Sequence, residues 1–248
     1  MKNPDLLLIP GWGMNRKVWS PCLAALENVA AARLTDLPGH GETPDPGQAF
    51  AEAARSLADT LPANAVVCGW SLGALLAMRA ALCSPRRVGG LILVGATPCF
   101  VQRDGWTEAQ PAKLLEDFAA AVANDSRAAL QRFVALFNQG DAKARPIGRE
   151  IVRNVLSPSP PPTAALLAGL SWLRDADLRE NIPGLACPVL LIHGERDPLM
   201  PLSAARWLAG KLPRARLETF PDAAHAPFLN DPGRFVRLIG DFLHDLRD

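Results

Sequence analysis

The stretch Ala65-Val66-Val67-Cys68-Gly69-Trp70-Ser71-Leu72-Gly73-Ala74-Leu75-Leu76-Ala77-Met78-Arg79-Ala80 reads as a buried strand that runs through a glycine-flanked serine straight into a helix. A turn that tight strains its central residue, and Gly69 and Gly73 remove the side chains that would collide there. The Ser71 hydroxyl is thereby exposed at a helix N-terminus, where a nucleophile is expected. A glycine-rich turn without chemistry is the competing reading.

Outward from this stretch, further short apolar runs are closed by turn residues. Leu6 to Ile9, Gly90 to Val94 and Val189 to Ile192 read as buried strands, with Ala30 to Leu34 a weaker one. Helix-like segments lie between and after them: Ala51 to Thr60, Leu72 to Leu82, Ser203 to Leu212 and Pro232 to Leu246. Alternating strands and helices predict the α/β class, with a mostly parallel central sheet flanked by helices. From Val101 to Leu185 no convincing strand occurs, a gap far beyond an ordinary connection. It reads as an inserted helical cap, with ordinary surface helices as the alternative. The expected division is a core of residues 1–100 and 186–248 and a cap of residues 101–185. Within the cap, the proline-rich tract Ser157 to Pro162 is expected to join two helices in extended form.

The 248 residues, 49% hydrophobic and 21% charged, suffice for a large core. A formal net charge of +1 supplies no global field that would recruit nucleic acid or an anionic membrane. The five cysteines are odd in number and lack CxxC or metal-type spacing, which argues against a disulfide framework or a zinc site and for a reducing, cytoplasmic setting. Leu6 to Ile9 is too short for a signal-peptide core, so no secretion is expected. The uncharged stretches Thr60 to Met78 and Asn154 to Leu173 are broken by Pro62 and Asn64 and by Pro158 and Pro160 to Pro162, so neither reads as a membrane span.

A serine hydroxyl needs a base to take its proton and a carboxylate to orient that base. Of the four histidines, His40 sits in a turn, His193 in a strand and His244 near the end of the last helix. His225 lies in the loop Pro221-Asp222-Ala223-Ala224-His225-Ala226-Pro227, between a candidate strand Arg216 to Phe220 and the final helix. It is the expected general base, a solvated loop histidine being the alternative. The acid is expected between serine and base in the chain, and Asp197 directly follows a strand, where α/β sites gather. Glu195 and Asp222 are its rivals. Backbone amides would receive the oxyanion, a contribution of about 3 kcal/mol per donor. Leu72, after the nucleophile, and Trp12, in the early loop Ile9-Pro10-Gly11-Trp12-Gly13-Met14, are the expected donors.

Positive charge is concentrated between Arg127 and Arg153, where six basic residues face two acidic ones and leave the rest of the chain at −3. That patch could steer an acidic partner; a solvated helix face is the other reading.

Pro10-Gly11-Trp12-Gly13, Asp36-Leu37-Pro38-Gly39-His40-Gly41, Gly69-Trp70-Ser71-Leu72-Gly73, Gly194-Glu195-Arg196-Asp197 and Ala224-His225-Ala226-Pro227-Phe228 together resemble the α/β-hydrolase superfamily across the whole chain. Within it, the Gly-Trp-Gly with Asn15 and Val18-Trp19, the elbow, Thr97-Pro98-Cys99-Phe100, Arg132-Phe133-Val134-Ala135-Leu136 and Ala223 to Phe228 resemble the family of pimeloyl-acyl-carrier-protein methyl ester esterases of biotin synthesis. The resemblance implies the α/β-hydrolase fold and a serine carboxylesterase with Ser71, Asp197 and His225 as its triad. It implies substrate contacts from Trp12, Ser71, Leu72 and His225, and an acyl channel lined by Phe133, Val134, Ala135, Leu136 and Phe137. The spacing of Phe133, Leu136 and Phe137 equally allows the buried face of an amphipathic helix. The resemblance further implies an acyl-carrier protein docked by Arg132, Arg145 and Arg149, no metal or organic cofactor, no nucleic-acid or membrane partner, and action as a monomer. The chain departs from the family pattern at Pro10, where a histidine is common, at Ala74, where a glycine is frequent, and at Phe137, where a glutamine can stand. Phe137 is expected to narrow or dry the channel. The alternatives are a promiscuous short-chain carboxylesterase without carrier dependence and a non-catalytic ligand-binding module of the same fold.

Overall fold

The computed structural model describes residues 4–44, 47–156 and 160–247. Its strands are β1 (Asp5–Ile9), β2 (Ala31–Leu34), β3 (Ala65–Trp70), β4 (Val88–Val94), β5 (Val189–Gly194) and β6 (Ala215–Phe220). Its α-helices are α1 (Ser20–Leu26), α2 (Phe50–Asp59), α3 (Leu72–Cys83), α4 (Ala112–Asn124), α5 (Ser126–Phe137), α6 (Ala144–Ile151), α7 (Thr163–Asp175), α8 (Leu202–Lys211), α9 (Pro227–Asn230) and α10 (Pro232–Asp245). The strands form one parallel sheet in the order β2-β1-β3-β4-β5-β6.

β3 and β5 are buried along their whole length, as their unbroken apolar sequences require of strands covered on both faces. The chain moves from β1 to β2 in one direction and from β3 onward in the other. Right-handed crossovers therefore send α1 to one face and α2, α3 and α8 to the opposite one. α2 packs on α3 and α1 on α10, which closes the second layer. The reversal leaves a crevice between the C-terminal ends of β1 and β3, the place where such sheets collect ligands.

Between β4 and β5 the described residues contain α4 to α7, a π-helical turn Val152–Leu156 and only isolated β-bridges, such as Cys99 with Asp177. α4 packs on α5 and α7, and α5 on α6. Asn15, just after the β1 loop, donates from Nδ2 to the Val155 carbonyl at 2.9 Å and ties this helical layer to the core. Residues 157–159 of the proline tract lie outside the described residues, while Pro162 stands at the N-terminus of α7. Among the described residues, no helix is long and apolar enough to cross a membrane.

Candidate active site

Ser71 sits between β3 and α3 with φ 57° and ψ −118°, a left-handed backbone that costs a non-glycine residue about 1–3 kcal/mol. Three backbone bonds hold it there. Its N–H donates to the Val94 carbonyl at the end of β4, 2.9 Å away, and its own carbonyl accepts from Ala74 and Leu75 in the first turn of α3. A side chain at Gly69 would collide with the Gly73 carbonyl, so the approach of strand to helix demands glycine. Leu72 opens α3, and its N–H has no carbonyl within the helix to bond.

β1 runs beside β3 with Ile9 opposite Gly69, so the following loop, Pro10 to Gly13, leaves the sheet alongside the elbow. His40 braces that loop. Its Nε2 accepts the Gly13 N–H at 3.3 Å, while its Nδ1 donates to the Pro38 carbonyl at 3.0 Å, which fits the turn role read for it. The Trp12 indole is buried and points into the inserted helices. It donates from Nε1 to the Leu166 carbonyl of α7 at 2.8 Å and stands edge-on to Phe118 and Phe133, with ring centroids 5.3 and 4.9 Å away.

The residues expected as acid and base meet from separate loops. His225 Nδ1 donates to Asp197 Oδ2 at 2.7 Å, and both side chains are almost wholly buried. Asp197 Oδ1 accepts the N–H groups of Leu199 and Met200, each at 2.9 Å. Burial alone would raise the Asp197 carboxyl, but the attraction and hydrogen bond of His225, then His193 and the Met200 amide, outweigh it and hold the carboxyl below its ordinary range. His193 Nε2 donates to the Met200 carbonyl at 2.8 Å and lies 3.6 Å from Asp197 Oδ2. Burial pushes its pKa down against the pull of Asp197, so it stays neutral behind the acid. The rival carboxylates face elsewhere. Glu195 accepts from the Thr219 hydroxyl, and Asp222 pairs on the surface with Arg196.

The backbone of His225 is held beside the elbow by its surroundings. Trp70, next to Ser71, donates from its indole Nε1 to the His225 carbonyl at 2.8 Å. Gly95 follows β4 with φ +51°, and a Cβ there would stand 3.0 Å from His225 Nδ1, so only glycine lets the ring lie against this turn. With Nδ1 committed to Asp197, the buried Nε2 has no hydrogen-bond partner among the described residues. It is the atom available to take a proton.

Ser71 and Trp12 open into an apolar pocket. Its remaining wall comes from Phe100, Leu199 and the inserted helices, including Leu115, Phe118, Phe133, Leu136 and Leu170, with Gln110 as a polar element. Gln110 is also fastened to the acid loop, donating from Nε2 to the carbonyls of Pro198 and Leu199 at 3.1 and 2.7 Å. Not every residue of the run 133–137, expected at the acyl channel, stands at this pocket. Phe133 and Leu136, three residues apart on α5, line it; Val134, Ala135 and Phe137 do not. Val134 and Phe137 are buried on another face and Ala135 is exposed. The Phe137 ring packs edge-on to Trp70 with centroids 5.6 Å apart, and its carbonyl accepts the His225 N–H at 3.2 Å. It therefore packs behind His225. Leu72 and His225 are likewise absent from the pocket wall. Gln110, Phe118 and Leu170 carried no local sequence signal, because only the packing of distant segments brings them to Ser71.

Arg132, Arg145 and Arg149 are exposed on α5 and α6. Among the described residues, no group of three or more His, Cys, Asp and Glu side chains is placed to hold a metal ion.

A strained serine, a buried imidazole–carboxylate pair and a serine-lined apolar pocket at a sheet's switch point are the layout of an α/β-type serine hydrolase. The alpha/beta hydrolase family model matches residues 6–238, and the chain belongs to that family. It is 42% identical over 246 residues to the pimeloyl-[acyl-carrier protein] methyl ester esterase of Aromatoleum aromaticum, covering 97% of this chain and 98% of that one. To the esterase of the same name from Nitrosomonas europaea it is 40% identical, over 94% of this chain and 93% of the relative. Among solved structures, the esterase EaEST of Exiguobacterium antarcticum matches with a TM-score of 0.88 over 98% of this chain and 93% of that one, at 22% identity, a likeness of fold.

Proposed function

We propose that this chain is a carboxylesterase that hydrolyses the methyl ester of pimeloyl-acyl-carrier protein to the free acid and methanol, a step of biotin synthesis, and that it acts as a cytoplasmic monomer. The observation that carries the chemistry is the 2.7 Å bond from His225 to Asp197 beside a strained Ser71 that opens into an apolar pocket. The substrate follows from the likeness to relatives of that name over nearly the full chain. Segment 101–185 acts as the cap.

Ser71 Oγ attacks the ester carbonyl carbon while His225 Nε2 takes its proton, and Asp197 stabilises the imidazolium. The N–H groups of Trp12 and Leu72 receive the oxyanion. Collapse of the tetrahedral intermediate breaks the carbon–methoxy bond, His225 returns the proton, and methanol leaves an acyl-Ser71. Water, deprotonated by His225, repeats the sequence and releases the carboxylate. The thioester to the carrier must survive, so the pocket has to place the distal ester at Ser71. Arg132 is exposed on α5, which lines this wall, and Arg145 and Arg149 are exposed on α6, which packs on α5; together they would receive the acidic carrier.

The test compares kcat/KM for methyl pimeloyl on acyl-carrier protein with that for the same ester on a pantetheine thioester, with Ser71→Ala as the blank. A large carrier advantage is expected. Equal rates would indicate a carboxylesterase without carrier dependence, and full activity of the blank would end the serine mechanism.

A further inference from the structure

The loop that carries His225 is built of small residues, Asp222-Ala223-Ala224, and has little side-chain mass to fix its own backbone. Its support comes from the corner between α5 and α6. Asp141 is buried there, and its Oδ2 accepts the Ala224 N–H at 2.9 Å. Its Oδ1 accepts from Asn230 Nδ2 at 2.8 Å and from the Lys143 N–H at 2.7 Å. Around this carboxylate the same two segments are laced together by other bonds. The Ala142 N–H donates to the Asp222 carbonyl, the His225 N–H to the Phe137 carbonyl, and Lys143 Nζ to the Asn230 carbonyl. Arg196, beside Asp197, donates to the Gly140 carbonyl at 3.1 Å.

We propose that Asp141 is a positioning residue for the esterase reaction: its carboxylate clamps the Ala223–Ala224 peptide unit, one residue ahead of His225, and the Asn230 side chain beyond it, so that the imidazole is held in register with Ser71. The inference rests on the reading of His225 as the base. Every group that meets Asp141 is a donor, so only a carboxylate satisfies both sides. An asparagine would turn an NH₂ group toward an N–H on one side or the other. The corner at this end of the insertion is thus part of the frame of the base.

In Asp141→Asn, kcat on a carrier-free methyl ester should fall about 10- to 100-fold while KM stays within about twofold, because substrate contacts are intact and only the base is misplaced. The far-downfield proton resonance of the His225–Asp197 hydrogen bond should broaden or move. Asp125→Asn, which weakens the N-terminal cap of α5 at the far end of that helix, should leave kcat unchanged. An unchanged kcat and an unmoved resonance in a folded Asp141→Asn would overturn the proposal. Should that variant not fold, hydrogen exchange on the wild-type protein decides: the amides of Ala224 and His225 should open together with the 138–141 corner, and rapid exchange at Ala224 beside a protected corner would overturn it. Full turnover by Ser71→Ala would remove the underlying reading of the base, whereas an inert Ser71→Ala beside a fully active Asp141→Asn would remove only the clamp.

Discussion

The site has two halves that are built differently. On the sheet side, Ser71, Asp197 and His225 stand at or beyond the ends of β3, β5 and β6, in loops held by hydrogen bonds to their backbone. On the helical side, the pocket wall from α4, α5 and α7 is held by side-chain contacts, with Trp12 pinned between Leu166, Phe118 and Phe133 as the hub. In the proposed mechanism the sheet side sets where charge and protons move and the helical side sets what can lie against the serine. The difference teaches that rate and selectivity reside in separable structures, joined at a few points such as Asp141 and Gln110.

If that separation holds, the largest effects on turnover come from the sheet side. Ser71→Ala should lower kcat by roughly 10⁶, and Asp197→Asn by about 10⁴, through loss of nucleophile and of the correct imidazole tautomer. Pre-steady-state kinetics on a methyl ester would check both, together with the thermal midpoint of each variant. A Ser71→Ala protein with native-like turnover would break the comparison at its strongest point.

The same difference decides what could be read from the sequence. The elbow, the acid after β5 and the base before α9 are local patterns, because strand ends, turn glycines and chain order dictate them within a few residues. β1, β3, β4 and β5 were legible as apolar runs, and even the weak candidate near Ala30 is β2. The pocket wall was not legible in this way. On α5 the spacing marks two apolar faces, Phe133 with Leu136 and Val134 with Phe137, and nothing local says which one meets Ser71. Packing against Trp12 selects the first pair and packing against Trp70 buries Phe137 behind His225. Gln110 and Asp141 were invisible for the same reason, since their partners lie 88 and 83 residues away.

The two phenylalanines of α5 sharpen the division. Phe137→Ala empties a fully buried site between Trp70 and His225 and should cost about 3–5 kcal/mol of stability, with kcat falling as the base loosens. Phe133→Ala removes pocket wall from a half-buried position and should raise KM for the ester with a smaller loss of stability. Denaturant unfolding and steady-state kinetics on both variants would test this. The reverse pattern would place Phe137 at the acyl channel, as the sequence led one to expect.

Smaller effects are expected from the exposed arginines. Neutralising Arg145 and Arg149 together should lower kcat/KM for the carrier-linked ester by about tenfold at low salt, less at high salt, with no change on the pantetheine ester. Stopped-flow measurements across ionic strength would show it, and an equal loss on both esters would mean that these residues act on the pocket instead of on the carrier.

The smallest effect is a pH dependence of stability centred on His193. Its pKa is lowered from the ordinary 6.5 because burial disfavours the charged form. Above pH 6.5 the histidine is neutral in both folded and unfolded chains, and its contribution is fully present. As pH falls below 6.5 the unfolded chain takes up a proton that the folded chain refuses, and stability declines until the folded value is reached, at up to about 1.4 kcal/mol per pH unit. Asp197 acts in a lower window: its carboxyl is held below the ordinary 3.8, so its contribution is present above that pH and is lost as pH falls through the folded value. His193→Gln retains a donor for the Met200 carbonyl but cannot be protonated. Thermal midpoints measured from pH 8 to pH 5 should therefore fall less steeply in the variant than in the wild type. Parallel curves would mean that His193 is not the group that takes up the proton on unfolding, and that the acid-side loss of stability begins elsewhere than behind Asp197.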